Sequence, residues 1–142
     1  MALERTLAII KPDAMASRKA GAIIARIEEE GFVIRGLRQL HLTRAQAEGF
    51  YDVHRGRPFF DELCAFMSSG PVVVMWLEAE SAIAKWRGVI GATDSAKAAA
   101  GTIRKLYGTN LGRNAVHGSD APETAARETA YFFSGLEVGS TA

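Results

Sequence analysis

The run Pro71-Val-Val-Val-Met-Trp-Leu77 constrains this chain more than any other stretch. Every position in it is apolar, so as a strand it has no face to give to water. Such a strand belongs in the middle of a sheet, with neighbours on both edges. Gly70-Pro71 separates it from the helical pattern that precedes it. The 142 residues, 48% hydrophobic and 23% charged, are enough for one globular domain with a real core, expected to span 1–142 with a frayed tail over about 136–142.

The other elements arrange themselves around that strand. Residues Arg5 to Lys11 read as a buried strand ended by Pro12. Ala20, Ile23, Ile24 and Ile27 recur at helical spacing, and Gly31 stands where a helix closes. Phe32 to Leu42 alternates well enough for a half-exposed strand. Thr43, with Gln46 three residues on, opens a helix running to about Val53. The turn Arg55-Gly-Arg-Pro58 leads into a helix over Phe59 to Ser68, with Cys64 on its core face. Ser81 is the expected cap of the next helix, in which Ile83 and Trp86 are buried; Trp76 and Trp86 are read as packing. Residues 92–111 form a long connection, and such connections are usually functional or disordered. A short strand over Asn114 to His117 and a helix from Ala121 to Phe133 follow.

This order predicts an α+β fold: a ferredoxin-like βαββαβ sandwich, with a four-stranded antiparallel sheet covered by helices and a long loop before the last strand. A doubly wound parallel sheet is the competing architecture. The chain carries neither G-x-G-x-x-G nor G-x-x-x-x-G-K-[ST], so a nucleotide would have to be bound by other means.

Charge is uneven inside a nearly neutral chain of net +1. Lys85, Arg87, Lys97, Arg104, Lys105 and Arg113 face the single acid Asp94 over 29 positions, a local excess that suits an anionic ligand or a solvated basic face. Cys64 is the only cysteine, which excludes a disulfide framework and a cysteine metal cluster. The first residues lack a signal-peptide layout and no apolar run approaches a membrane span, so a cytoplasmic protein without a membrane partner is expected.

Asn114-Ala-Val-His117-Gly-Ser-Asp120 is the candidate chemical centre. A histidine at an element boundary faces a cleft more often than a core, and a neutral imidazole is a competent nucleophile near pH 7. Asp120 as N-cap, with Pro122 in the first turn and Glu123 three residues on, would fix the backbone beside it. A plain polar residue at a strand end would look the same in isolation.

The motifs together resolve that ambiguity. Glu4-Arg-Thr-Leu-Ala-Ile-Ile-Lys-Pro-Asp13, Arg57-Pro-Phe-Phe60, Ser69-Gly-Pro-Val72, Gly91-Ala-Thr-Asp94, Gly101-Thr-Ile-Arg104 and Asn114 to Asp120 make the chain resemble nucleoside diphosphate kinases of the bacterial type from Glu4 to about Phe133. The resemblance implies that His117 takes the γ-phosphate of ATP or another nucleoside triphosphate on its δ nitrogen and passes it to a nucleoside diphosphate. It implies that Glu128 orients the imidazole and that Ser119 hydrogen-bonds beside both. Arg87, Arg104 and Thr93 match positions that hold phosphates. Lys11 and Asn114 match positions that contact the sugar, Lys11 also lying close to the transferring group. Phe59 and Leu111 match the pair enclosing the base, which reads no hydrogen-bond code, so base selectivity should be low. Tyr51 and Leu63 match cleft-lining positions, and Arg113 is expected beside the site. Mg2+ is implied as a companion of the nucleotide phosphates, with no metal ligand from the protein.

Departures from the family pattern fall in the long loop. Ser95 replaces a usual proline, and Lys105-Leu106 replaces a small residue and an aspartate. The resemblance implies a homo-oligomer, a tetramer or hexamer built from dimers, and these departures leave the choice open. Two competing functions are a non-catalytic nucleotide-binding or interaction module of the same fold, and a nucleic-acid-binding side activity of the basic stretch. Loss of site residues would favour the first, and here the set is complete. Salt-dependent DNA affinity surviving saturating ATP would mark the second, which is not expected as the main role.

Overall fold

The apolar run forms a central strand, as its composition requires. In the computed structural model, which describes residues 3–134, strand β1 (Leu3–Ile10) is followed by helices α1 (Pro12–Ala16) and α2 (Ala20–Glu29). Strand β2 (Val33–Leu40) leads to α3 (Arg44–Phe50) and α4 (Phe60–Met67). Strand β3 (Val72–Glu80), α5 (Ala82–Ile90), α6 (Ile103–Tyr107), β4 (Val116–Gly118) and α7 (Pro122–Phe132) complete the order. The sheet runs β2-β3-β1-β4 with every pairing antiparallel. The expected sandwich is therefore present.

Alternation along the inner strands divides the core between the two faces of the sheet. Ala8, Ile10, Val73, Met75, Leu77 and Val116 point to the face covered by α2 and α5, where Ile23, Ile27, Trp86 and Ile90 are buried. Leu7, Ile9, Val72 and Val74 point to the other face, under Phe50, Phe60, Cys64, Met67 and Phe132. Strand β2 is an edge, and Val33 and Leu37 on it are exposed.

Local signals fared unequally. Thr43 and Gln46 form the expected capping box, and Gly31 takes the positive φ that a helix terminus asks for. The helix opened by Thr43 ends at Phe50, however, and a separate 3-10 turn covers Asp52–His54. Ser81 does not cap α5 with its side chain; the Glu4 carboxylate on β1 accepts from the Ile83 N–H at 2.9 Å instead. Asp120 is not the N-cap of α7 either. Ala121 holds that position, and its N–H donates to Thr124 Oγ1 at 3.0 Å while the Thr124 hydroxyl donates to Asp120 at 2.7 Å. The long connection contains a 3-10 turn at Ser95–Lys97 as well as α6. The frayed tail expected over 136–142 lies outside the described residues.

Helix α7 also ties the second layer together. Arg127 donates to the carbonyls of Phe50 and Gly49 at 3.1 and 2.8 Å, and the Tyr131 hydroxyl donates to the Gln46 carbonyl at 2.7 Å. Helix α3 is thus hung from α7 by main-chain acceptors.

Candidate active site

Strand β4 is three residues long and places His117 opposite Ile9 of β1. Its backbone is held from the other face of the sheet: Trp86, fully buried on α5, donates its indole N–H to the His117 carbonyl at 3.0 Å. Trp86 is therefore more than packing. A buried indole N–H needs an acceptor, and that requirement was the signal available in the sequence. Gly118 leaves room for this contact, because a Cβ there would stand 2.7 Å from Trp86 Cδ1.

The His117 ring is oriented from α7. Nε2 lies 2.8 Å from Glu128 Oε1, and the Ser119 hydroxyl donates to the same oxygen at 2.8 Å. Ser119 is fully buried, and its Oγ accepts from the Leu7 N–H at 3.1 Å, which fixes which way its proton points. An ionised carboxylate only accepts, so Nε2 carries the proton and Nδ1 keeps its lone pair. Phe50 and Tyr51 flank the ring edge-on, at centroid distances of 5.4 and 6.5 Å. Burial lowers the His117 pKa; Glu128 opposes this through its hydrogen bond and charge, while Lys11 and Arg104 add to the lowering. The ring is neutral near pH 7.

Cations surround it. Lys11 lies buried at the end of β1, not solvated as a strand-end lysine usually is, and donates to Asn114 Oδ1 at 2.9 Å. Burial and the Arg104 charge lower its pKa to about 8, with Asp13 pulling the other way. Arg104 is also buried, its pKa lowered to about 10 by burial and by Arg87. It donates to the Gly91 and Val116 carbonyls at 3.0 and 2.9 Å, and its Nε is buried without a partner among the described residues. Two of the five guanidinium donors are thus spent on the backbone and three remain. Asn114 donates to the Thr93 carbonyl at 2.9 Å, tying the long loop to β4. Arg87 and Thr93 are exposed.

The outer residues form a second group. Phe59 and Leu111 are 48% and 61% exposed, which sets Phe59 apart from its core neighbour Phe60. The Phe59 ring meets His54 edge-on at 5.3 Å, and His54 stacks on Tyr51. Tyr51 is buried, its phenol raised in pKa by burial and by Glu128, and its hydroxyl has no partner among the described residues. Leu63 is half-buried beside the same core. Arg113 stacks its guanidinium over Phe66 at 4.9 Å. Among the described residues no three His, Cys, Asp or Glu side chains form a group able to hold a metal ion.

Sequence reasoning gave Asp13 no role. The structure places its Oδ2 3.0 Å from the Ala115 N–H, two residues before His117.

Fold and site together define a class: a ferredoxin-like α/β sandwich in which a neutral, carboxylate-oriented histidine stands among cations suited to phosphate. A family model described as nucleoside diphosphate kinase matches residues 4–138. A nucleoside diphosphate kinase of Sorangium cellulosum is 69% identical over 142 residues, covering 100% of this chain and 99% of that protein. The solved Aquifex aeolicus nucleoside diphosphate kinase superposes with a TM-score of 0.94 at 52% identity, over 96% of this chain and 99% of that one. A Halobacterium salinarum nucleoside diphosphate kinase in complex with CDP gives 0.93 at 38% identity, over 99% and 94%. The chain belongs to the nucleoside diphosphate kinase family, and it is an enzyme of the phosphotransferase class.

Proposed function

We propose that the chain, acting as a single domain over residues 1–142, transfers the γ-phosphate of a nucleoside triphosphate to a nucleoside diphosphate through a phosphohistidine on His117. The observation that carries this is the His117–Glu128 pair: the carboxylate holds the proton on Nε2 and leaves Nδ1 as the nucleophile. Nδ1 attacks the γ-phosphorus, the bond to the bridging β–γ oxygen breaks, and a nucleoside diphosphate leaves. The ring becomes positively charged as the N–P bond forms, and Glu128 across Nε2–H stabilises that charge. A second nucleoside diphosphate reverses the step, which gives ping-pong kinetics.

Phosphoryl transfer depends on positioning and on neutralising charge spread over the equatorial oxygens. Lys11, Arg87 and Arg104 supply that charge, Arg104 through its unspent donors, with Thr93 on the phosphates. Lys11 and Asn114 take the sugar hydroxyls. Phe59 and Leu111 take the base by apolar contact, so ATP, GTP and deoxynucleotides are all substrates, and Tyr51 and Leu63 line the cleft between. Mg2+ enters as part of the nucleotide substrate, on its phosphates. The completeness of this set and the family match weigh against a non-catalytic module.

The setting we propose is cytoplasmic and homo-oligomeric, built from dimers. No helix among the described residues is long and apolar enough to cross a membrane. The exposed Leu3, Val33 and Leu37 near the β2 edge favour self-association.

Incubation of the pure protein with γ-labelled ATP and Mg2+ tests the reading. An acid-labile label on His117, discharged by GDP, is expected. Full exchange activity in His117→Ala would overturn the assignment of the nucleophile.

A further inference from the structure

We infer that Asp13 is a positioning residue for this reaction, acting through the backbone of Ala115 to set the strand that carries His117. The inference rests on His117 being the nucleophile.

Ala115 has a φ of 73°, a region that costs any residue with a Cβ. The Val116 N–H donates to the Asn114 carbonyl at 2.8 Å, so Ala115 is the centre of a γ-turn with positive φ, a rare and strained form. Strain of this kind persists only where neighbours over-determine it. Here both polar groups of Ala115 are claimed: its carbonyl accepts from the Lys11 N–H at 2.8 Å, and its N–H donates to Asp13 Oδ2 at 3.0 Å. The side chain of Ala115 is fully buried, so water offers no substitute partner.

Asp13 gives one carboxylate oxygen to this contact, while its charge also acts on Lys11. Its other oxygen, Oδ1, is buried and has no hydrogen-bond partner among the described residues. A buried carboxylate oxygen left unpaired is costly, which makes general stabilisation a poor account of the residue. The geometry accounts for it better. Turning the chain at Ala115 sends Asn114 toward Lys11 and Thr93, and sends Val116 and His117 into the ladder with Ile10 and Ile9. Glycine at 115 would adopt this φ freely but would not be restricted to it. Alanine pinned by Asp13 has one arrangement.

Single-turnover formation of labelled phosphohistidine tests the inference, with thermal unfolding measured alongside. Asp13→Ala should slow the step roughly 100-fold, the scale of a misplacement of about 1 Å in a reacting group. Ala115→Gly added to Asp13→Ala relieves the strain without the carboxylate, and should recover about tenfold of the rate. Asp13→Asn keeps an acceptor for the N–H and should stay within a few-fold of the parent. The Ala115 amide proton should be protected from exchange in the parent and in Asp13→Asn. Should Asp13→Ala not fold, the double variant and Asp13→Asn carry the test. An Asp13→Ala rate within threefold of the parent overturns the inference, as does an unprotected Ala115 amide in the parent. A double variant slower than about a thirtieth of the Asp13→Asn rate shows no recovery and overturns it equally. Absence of phosphohistidine in the parent would instead strike the nucleophile assignment on which it rests.

Discussion

Glu128→Ala is the most informative single change. Glu128 Oε1 takes two hydrogen bonds, from His117 Nε2 and from the Ser119 hydroxyl, both at 2.8 Å. Removing it frees the ring to lose its Nε2–H tautomer and withdraws the anion facing the positive charge that develops on phosphorylation. A hydrogen bond to a charged group contributes about 1.5–3 kcal/mol, and each 1.36 kcal/mol is tenfold in rate, so phosphoenzyme formation should slow roughly 10- to 150-fold. The pH profile supplies an independent sign. Glu128 raises the His117 pKa, by its hydrogen bond and by its charge, against the lowering by burial. Without it the imidazole titrates at lower pH, so the acid limb of kcat/KM should move down as the maximum rate falls. Glu128→Gln keeps an oxygen for both donors and should lose less. Rapid-quench single turnovers from pH 5 to 9 would measure both effects. An Ala variant within twofold of the parent, or an acid limb moving upward, would refute the role given to the carboxylate.

Lys11, with its pKa lowered to about 8, should impose an alkaline limb, kcat/KM falling about tenfold per pH unit above that value; a profile flat to pH 10 contradicts its place on the phosphates. Trp86→Phe removes the indole donor to the His117 carbonyl and leaves a gap in the core, and should destabilise the fold by about 1–3 kcal/mol in urea titrations. Gly118→Ala drives a Cβ against the same indole and should cost a similar amount, about 1–3 kcal/mol. Phe59→Ala removes the exposed ring assigned to the base; KM should rise roughly tenfold for adenine, guanine and cytosine nucleotides alike, as lost stacking predicts, and a rise confined to one base would show a readout that stacking does not provide.

The sheet was legible because its signals are local. An all-apolar run has to be central, and Gly31 and Thr43 act within one turn of themselves. Ser81 and Asp120 misled for different reasons. The Ile83 N–H that Ser81 is placed to cap is met by Glu4, 79 positions away, and no spacing rule anticipates a partner that distant. The last helix starts one residue later than Asp120 implies, with Ala121 as N-cap and Thr124 three residues on accepting from its N–H. Within the site, His117, Lys11 and Arg104 could be named because they lie in contiguous motifs, whereas Glu128 and Arg87 lie outside those motifs and were named through the resemblance alone. Ala115 and Asp13 could not be read as a pair. Alanine gives no hint of a positive φ, and 102 positions separate the donor from its acceptor. Trp86 was assigned to packing because its bulk is visible in sequence while the direction of its indole N–H is not.

The suspension of α3 from α7 has a consequence for how the site can change shape. Arg127, which grips the Gly49 and Phe50 carbonyls, is the residue immediately before Glu128. Phe50 closes one side of the imidazole and Glu128 closes another, so wall and orienting carboxylate are mounted on a common frame. Any displacement of α3 is therefore passed through Arg127 to α7, and so to the carboxylate that meets Nε2. The histidine itself stays with the sheet, where Ile9 and Trp86 hold its strand, so the hydrogen bond from Nε2 to Glu128 is the joint between the helical frame and the strand that carries the ring.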